Sequence, residues 1–355
     1  MPYRSSNATC NATCNATCKA TCTTACTSAA AGARVSDTLS DVLRAVRLTG
    51  AVFFTIDGSA PWATETPAAP DIASRIVPGA EHVIDFHVVT AGSCWGGIVG
   101  QPPIRLAAGD VIVFPHGDSH VMSSAPGMRG HPDVDIYERT GVDRPVAVRV
   151  HGGGRERAEV ICGFLGCDLR PFNPLVATLP RVIHVGAQPG DDGIITQFIR
   201  LALAESAARR AGSDAMLAHL SELLFVEVVR RHLATLPLDH RGWLAGLRDE
   251  QVGRALAQLH DRPADPWDLE QLASAIAVSR SALAERFAHF VGVPPMQYLA
   301  AWRMQLAAGL LTSTSLGLAS IAARVGYGSE AAFSRAFKRL VGLAPARWRE
   351  GKRAS

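Results

Sequence analysis

Two histidines lie in strand-like segments where an imidazole could contact a bound molecule. His87 belongs to an apolar run, and His120 ends the segment GDVIVFPHGDSH. A neutral imidazole can ligate a metal ion or hydrogen-bond to a ligand. A metal site needs three or four convergent ligands, and the sequence supports only these two histidines as candidate ligands. Three interpretations therefore stay open: metal ligands, hydrogen-bonding groups of a small-molecule pocket with Trp95 as an apolar wall, or structural or solvent-facing histidines.

Polar and basic side chains also follow a turn near the C-terminus. Gly326 tolerates positive φ, so a short apolar-periodic helix can end there. Ser329 is expected to cap the next helix, and Phe333 and Phe337 turn one of its faces inward. The outward side chains predicted to meet DNA, with the cap, are Ser329, Glu330, Ala331, Ser334, Arg335, Lys338 and Arg339.

The chain from Arg335 onward holds seven basic residues against one acid, Glu350. These basic residues, Arg349 among them, indicate a surface that faces DNA phosphates. A solvated basic terminus would give the same count. The turn at Gly326 and the cap at Ser329 favour a helix-turn-helix that enters a major groove.

A second unit of the same kind precedes the first by about fifty residues. Asp265-Pro266-Trp267 predicts a helix start, and Ser279 predicts the cap of a second recognition helix. Its outward side chains are Arg280, Ser281, Ala284 and Glu285. A helix of roughly 17 residues between the units would span about 25 Å. When the widths of the helices at its two ends are added, the two recognition helices can lie about one DNA turn apart, roughly 34 Å.

The elements that must position these residues divide the chain of 355 residues into domains. Short apolar runs with period two over residues 51–166 predict antiparallel strands of a sandwich or barrel. The period returns to 3.6 after Ile194, which predicts a helical hairpin whose apolar stripe packs on the barrel or forms a subunit interface. The predicted division is a low-complexity tail at 1–34, a sensor domain at 35–190, the hairpin at 191–240 and an all-helical domain at 249–355.

Composition is that of an ordinary globular protein, with 48% hydrophobic residues and a net charge of +3. Residues 249–355 hold 13 Lys and Arg against 9 Asp and Glu, so the basic surplus lies in the helical domain. The sequence contains no uninterrupted apolar run of about eighteen residues, so no membrane span is predicted. Five of the eight cysteines, Cys10, Cys14, Cys18, Cys22 and Cys26, fall in an NATC repeat that is expected to be disordered. Cys94, Cys162 and Cys167 lie in the predicted globular part, and Cys162 and Cys167 are expected to be buried free thiols.

Two stretches resemble known families. The segment Gly109–His120 resembles the second cupin motif, although Ser124 replaces a later asparagine and the first motif, around His82 and His87, has other offsets. The last 100 or so residues resemble the DNA-binding domain of AraC/XylS-type regulators. That family's pattern I-A-x-x-V-G-Y-x-S, F-x-R-x-F-K and G-x-x-P-x-x-W-R is present between Ile321 and Arg349.

The resemblance implies an α+β protein, in which a cupin-like antiparallel β-barrel is followed by a helical hairpin and tandem helix-turn-helix units. It implies a cytoplasmic transcription factor, usually an activator, that is not an enzyme and needs no cofactor or metal. The implied partners are double-stranded DNA at two adjacent major-groove segments, RNA polymerase, an unknown small effector and a second copy of the chain in a homodimer. The alternatives are a metal-dependent cupin enzyme with an accessory DNA-binding domain, or a regulator whose barrel only dimerises.

Overall fold

The computed structural model describes residues 37–132, 146–187, 193–208, 210–237 and 239–353. The five cysteines of the NATC repeat lie outside these ranges. Within them, no helix is both long enough and apolar enough to cross a bilayer.

A curled sheet forms the first half of the described chain. Its strands are β1 (Thr49–Ser59), β2 (Ala63–Thr66), β3 (His82–Ile98), β4 (Ile104–Ala107), β5 (Val111–Phe114), β6 (His120–Ser123), β7 (Val146–His151), β8 (Arg157–Cys167) and β9 (Ile183–Val185). Their order is β2-β6-β3-β8-β1-β7, with β4 and β5 also on β3, and β9 on β5. The long strand β3 therefore lies inside the sheet and pairs with β4, β5, β6 and β8.

The predicted antiparallel pairing is correct for the sheet except at one edge. Strands β1 and β7 are parallel, from Phe54 opposite Val146 to Ser59 opposite His151. Parallel neighbours need a long crossover connection. Strands β2 to β6 supply that connection. The alternation of apolar residues within a strand does not show which distant strand lies beside it, so the parallel pair could not be predicted.

The helices that accompany the sheet in the described ranges are α1 (Thr38–Ala45), α2 (Ala69–Ile76), α3 (Pro174–Thr178), α4 (Ile194–Ala208) and α5 (Ser213–Thr235). The apolar spacing of residues 38–50 predicts an opening amphipathic helix over that range. The helix is shorter, because Arg47 has a φ of 50° and β1 begins at Thr49. Helix α5 packs closely on β1, and a Cβ on Gly50 would lie 2.2 Å from the carbonyl oxygen of Ala218.

The sequence predicts Ser213 as the cap of the second hairpin helix, and this prediction is wrong. Gly212, with a φ of 88°, holds the cap position, and α5 itself begins at Ser213. The Ser213 hydroxyl instead donates to Glu205 Oε1 at 2.6 Å. The serine therefore ties α4 to α5, a tertiary contact that replaces a local one.

The helical second half consists of α6 (Trp243–Arg248), α7 (Glu250–Asp261), α8 (Leu269–Ala275), α9 (Arg280–Val291), α10 (Pro295–Ser313), α11 (Leu318–Arg324), α12 (Glu330–Val341) and α13 (Pro345–Arg353). Helix α8 begins later than Asp265-Pro266-Trp267 predicted. Asp268 is its cap, since its carboxylate accepts from Gln271 N at 2.7 Å while Gln271 Oε1 accepts from Asp268 N at 3.2 Å. A reciprocal capping box of this kind satisfies two orphan donors, which the proline cannot do.

Apolar cores hold the described chain together, and their boundaries differ from the sequence divisions. The inner face of the sheet forms one core, which includes Phe54, Val89 and Phe164. A second core runs without a break from the outer face of the sheet, at Phe86, to Phe287 of α9. A third contains α11, α12, α13 and the C-terminal half of α10. The first helix-turn-helix thus shares a core with the sensor, whereas the second has its own.

Candidate nucleic-acid interface and effector cavity

Helices α9 and α12 present the side chains predicted to meet DNA. Their caps form as expected, with Ser279 Oγ accepting from Ala282 N and Ser329 Oγ accepting from Ala332 N, both at 3.2 Å. Leu283, Phe287, Phe333 and Phe337 are fully buried and hold each helix to its unit. The opposite faces therefore stay in solvent.

The structure leaves most of the predicted DNA-facing side chains accessible. The exposed ones are Arg280, Ser281, Glu285, Ser329, Glu330, Ala331, Arg335, Lys338 and Arg339, while Ala284 and Ser334 are half-buried. Ala284 and Ser334 are short, so a groove could approach the helix backbone there. Whether these residues contact DNA remains a prediction.

Charge is distributed unequally between the two helices. On α9, Arg280 lies 3.7 Å from Glu270, and Arg286 makes bonds of 2.6–3.0 Å with Asp249. On α12, within the described ranges, no ion pair engages Arg335 or Lys338. The second unit therefore offers more free positive charge to phosphate.

Arg349 corrects the prediction that the whole basic run faces phosphate. Its Nε donates to Leu311 O at 3.1 Å, and its Nη2 donates to Leu316 O at 2.6 Å. Both acceptors are backbone carbonyls near the end of α10. The guanidinium is used inside the second unit, where it satisfies orphan groups of a helix C-terminus.

A cavity of ≈230 Å³ opens between the inner face of the half-barrel and β2. Apolar side chains of β1, β7 and β8 form most of its wall, with a few polar groups among them. Its lining is Phe54, Ile56, Ala63, Thr64, Glu65, Thr66, His87, His131, Val148, Val150, Cys162 and Phe164. An apolar concavity with a few convergent polar groups is the usual form of a small-molecule site.

His87 lines this cavity, and His120 lies directly behind it. The two Nε2 atoms are 2.7 Å apart, and both rings are at most 3% exposed. His87 Nδ1 is 2.8 Å from Cys162 Sγ, and His120 Nδ1 is 2.8 Å from Asp118 O. The structure thus brings together both predicted histidines and a cysteine that was expected only to be buried.

The hydrogen bonds assign the protons along this row. A carbonyl only accepts, so His120 Nδ1 donates to Asp118 O and His120 Nε2 accepts. His87 Nε2 then donates to it, and the Cys162 thiol donates to His87 Nδ1. Burial holds the pKa of His87 well below its ordinary value and lowers the pKa of His120 to about 4, while burial raises the pKa of the Cys162 thiol. All three groups are uncharged at neutral pH.

The two histidines do not fit a shared metal ion. Nitrogens that bind one tetrahedral Zn²⁺ lie about 3.3 Å apart, given metal–nitrogen distances of about 2.0–2.1 Å. The observed 2.7 Å is a hydrogen-bond distance. In the part of the chain that the structure describes, no group of three or more His, Cys, Asp or Glu is placed to hold a metal.

Trp95 does not belong to the cavity, which corrects the prediction of an apolar wall. The register of β3 shifts between Val89 and Ala91, where it pairs with β8. A one-residue bulge moves every later side chain to the opposite face. Cys94 therefore points into the inner core, and Trp95, which an even spacing from His87 would place inside, faces outward.

Other residues that line the cavity were not predicted from the sequence. Phe54 and Ile56 could have been found, because they alternate along β1 as inward residues do. Glu65 left no such signal. Its carboxylate accepts from Arg129 Nε and Nη2 at 2.8 and 2.7 Å, a contact across 64 positions. This pairing lowers the pKa of Glu65, so its charge is neutralised by Arg129.

Comparison with known proteins identifies both halves. A family described as Cupin matches residues 37–234, and one described as Helix-turn-helix domain matches residues 272–351. A putative AraC-like transcription regulator of Streptomyces lividans is 36% identical over 76% of this chain and 88% of its own length. The HTH-type transcriptional regulator AlkR of Acinetobacter baylyi is 30% identical over 76% of this chain and 89% of its own length.

Among solved structures, the DNA-binding domain of AdpA in complex with a target DNA covers 30% of this chain and 95% of its own, at 29% identity and a TM-score of 0.29. The cupin match spans more than half of the chain, and the match to the Streptomyces lividans regulator spans three quarters of it. The chain therefore belongs to the AraC-like family of transcription regulators, with a cupin domain followed by a helix-turn-helix domain.

Proposed function

We propose that this transcription regulator recognises two adjacent major-groove segments of one operator with α9 and α12. The observation that carries the proposal is the pair of capped helices with solvent-facing polar sides, joined by the 19-residue helix α10. A helix of that length spans about 28 Å, and the widths of the helices at its two ends bring the separation to about the 34 Å pitch of B-DNA. One polypeptide can then contact both segments.

The side chains divide into base-contacting and phosphate-contacting groups. Arg335 on α12 and Arg280 on α9 have the reach and the donors for a bidentate contact with guanine. Ala284, Ala331 and Ser334 keep the helices close to the groove floor, so thymine-methyl contacts or DNA shape contribute at those positions. Lys338 and Arg339, with Ser281, Glu285, Ser329 and Glu330 near the groove edges, contact the backbone or fix the register.

We place a small effector in the cavity beside His87 and Cys162. The described lining is mostly apolar, and the Glu65 carboxylate is paired with Arg129. His87 and His120 form the inner end of this site as a fixed, uncharged hydrogen-bonded row. A small, largely apolar molecule of a few to about a dozen non-hydrogen atoms suits a cavity of ≈230 Å³.

Helices α4 and α5 support self-association. Leu201, Met216 and Leu223 are each at least half exposed on them. Met216 and Leu223 are seven residues apart and so lie on one face of α5, and a contiguous exposed apolar surface is typical of a subunit contact. We propose a cytoplasmic homodimer that acts as an activator by contacting RNA polymerase. The names of the relatives support its role as a transcription regulator.

The DNA proposal is tested on duplexes selected by the purified protein. Arg335→Ala is expected to cost about 1 to 3 kcal/mol on the selected duplex and little on random DNA, because a base contact is lost. Lys338→Ala should weaken both duplexes alike and lower the salt slope by about 1. Arg105→Ala, exposed on β4, is the matched control. Equal losses on selected and random DNA for Arg335→Ala would refute base contact.

The effector proposal is tested by thermal unfolding with a panel of small apolar compounds. A ligand present at 100 times its Kd stabilises the folded state by about 2.7 kcal/mol. Ile56→Trp, which fills the cavity, should abolish that stabilisation, whereas Arg105→Trp at an exposed position on β4 should keep it. Stabilisation that survives Ile56→Trp would place the effector elsewhere.

A further inference from the structure

Arg303 lies on α10 between the two helix-turn-helix units and donates to backbone carbonyls of both. Its Nε donates to Pro263 O and its Nη2 to Asp265 O, each at 2.7 Å. Its Nη1 donates to Gly326 O at 3.3 Å. The first two acceptors lie in the loop between α7 and α8 of the first unit. The third lies in the turn between α11 and α12 of the second.

The loop that receives two of these bonds is itself held in place. Trp267 Nε1 donates to Arg262 O at 2.9 Å, and the Arg262 guanidinium lies 4.7 Å from the centre of the Trp267 ring. Asp268 then caps α8 one residue later. A contact to Pro263 or Asp265 is therefore a contact to the first unit as a rigid body.

The turn of the second unit approaches that loop directly. Gly326 has a φ of 80°, and a Cβ placed on it would lie 2.6 Å from Ala264 O and 2.8 Å from Arg303 Nη2. The Arg303 guanidinium also lies 5.8 Å from the centre of the Tyr327 ring. Ser329, the cap of α12, follows directly in the same turn. The position of the turn thus sets the position of the recognition helix.

The two units otherwise belong to different cores. Tyr298, Leu299 and Trp302 of α10 lie in the core shared with the sensor, whereas Ala307 and Leu311 lie in the core of the second unit. Apolar packing is non-directional, so it fixes the angle between two bodies less sharply than a planar fork of hydrogen bonds does.

We propose that Arg303 is a positioning residue that sets the spacing between the two DNA segments recognised by α9 and α12. It binds no DNA itself. It fixes the turn before α12 to the loop before α8, so the two recognition helices meet DNA at one separation and one rotation. The inference rests on the proposed two-segment recognition and adds the residue that determines its spacing.

Arg349 provides a matched control for a purely structural arginine. It also donates twice to backbone carbonyls, but both acceptors lie at the α10–α11 junction inside the second unit. Arg349→Met should lower the stability of the second unit without altering the separation of the two helices. Arg303→Met should alter the separation without unfolding either unit, because the first unit stays in the core that it shares with the sensor and the second unit keeps its own core.

The experiment uses the full chain and a two-segment duplex that the wild-type protein enriches from a random library. One base pair is then inserted or removed between the segments, which rotates one segment by about 34° and moves it by about 3.4 Å. Wild-type protein and Arg349→Met should lose affinity about 10- to 100-fold on either altered duplex. Arg303→Met should bind the original duplex about 10-fold more weakly than the wild-type protein does. Its affinity for either altered duplex should then be less than about 3-fold lower than its own affinity for the original. Arg303→Lys, which keeps the charge but not the fork, should resemble Arg303→Met.

The outcomes separate the inference from the function on which it rests. A wild-type protein that enriches no sequence would remove both. If it enriches a two-segment duplex and Arg303→Met keeps the full spacing penalty, two-segment recognition stands and the role of Arg303 is wrong. The same conclusion follows if Arg349→Met relaxes the spacing as much as Arg303→Met does.

Discussion

The row from Cys162 through His87 and His120 to Asp118 O shows how burial determines the state of individual residues. Each imidazole donates once and accepts once, so the row is satisfied only while both rings are neutral. A proton added to either ring would place two donors face to face in a buried site. The row is therefore sensitive to acid, although it lies beside a cavity and not in solvent.

We expect this row to make the folded state less stable as pH falls from about 6.5 to about 4. The folded-state pKa of His120 is about 4 against an ordinary value of 6.5, mainly because of burial. Between these pH values His120 is protonated in the unfolded chain but not in the folded one. Its contribution to the free energy of unfolding is therefore fully present above about pH 6.5 and is lost as the pH falls toward 4. One ring alone accounts for on the order of 3 kcal/mol.

Urea unfolding at several pH values tests this expectation with His120→Gln. Glutamine can accept from His87 and donate to Asp118 O, yet it does not titrate. The variant should lose less stability than the wild-type protein between pH 6.5 and 4, by up to about 1.4 kcal/mol per pH unit. His289→Gln, at an exposed position on α9, should leave the wild-type slope unchanged. Identical slopes for all three proteins would contradict the assignment.

The two helix-turn-helix turns differ at the level of the element. In the second unit, Gly326 adopts the left-handed conformation, and Tyr327 N donates to Ala322 O at 2.9 Å. In the first unit the same bond runs from Val278 N to Ala273 O at 3.0 Å, but the left-handed residue is Ala277, with a φ of 59°. The second turn is also one residue longer before its serine cap. Left-handed backbone costs an alanine roughly 1 to 2 kcal/mol and a glycine almost nothing.

Ala277→Gly is therefore expected to stabilise the protein by about 1 kcal/mol, after the extra entropy of the unfolded glycine is subtracted. The first unit shares its core with the sensor, so the main thermal transition should move upward. DNA affinity should not change, because Ala277 precedes the cap of α9. A lower melting temperature would contradict strain at this position.

Gly326→Ala provides the opposite case in the second turn. It combines left-handed backbone with a Cβ 2.6 Å from Ala264 O, so it should destabilise by about 2 kcal/mol or more. Gly328→Ala lies two residues away, where an added Cβ meets nothing within 4 Å, and should be nearly neutral. Hydrogen exchange of the α12 amides separates the two variants. Equal exchange in both would show that the close approach at Gly326 has no energetic consequence.

At the scale of the whole molecule, the sensor and the DNA-binding helices are joined by a shared core and a buried glutamine. Gln305 of α10 is 2% exposed; its Nε2 donates to Ala45 O at 2.8 Å and its Oε1 accepts from Phe172 N at 2.9 Å. Arg170 adds a contact to the second unit, since its guanidinium lies 5.9 Å from the centre of the Trp348 ring. The half-barrel domain, which contains the proposed effector cavity, is therefore in direct contact with α10.

Gln305→Leu should destabilise the junction by about 2 to 4 kcal/mol, because it leaves the part-buried Ala45 carbonyl and Phe172 N–H without their partner. The amide of Phe172 is expected to exchange faster, and the free energy of unfolding by urea to fall. Gln297→Leu, at an exposed position on the same helix, should leave both quantities nearly unchanged. An unaltered exchange rate at Phe172 would show that Gln305 does not hold the two halves together.

Local sequence patterns by themselves determined much of this protein. Ser279 and Ser329 cap recognition helices because a hydroxyl three residues before an N–H satisfies it wherever the helix lies. Period-two alternation predicted β1, β3, β5 and β8, and the glycine at 326 marked the turn. The family resemblance rested on the same local features, which extend over a window of a few dozen residues.

Tertiary structure decided what depends on contacts between distant positions. A single bulge in β3 placed Trp95 outside the cavity, and partners 64 and 75 positions away gave Glu65 and His87 their roles. The domain limits at 240 and 249 do not mark a core boundary, since apolar packing joins whatever surfaces meet, whichever segment they come from. Local sequence determines the hydrogen bonds that a residue makes with its neighbours along the chain; only the folded chain determines those it makes across space.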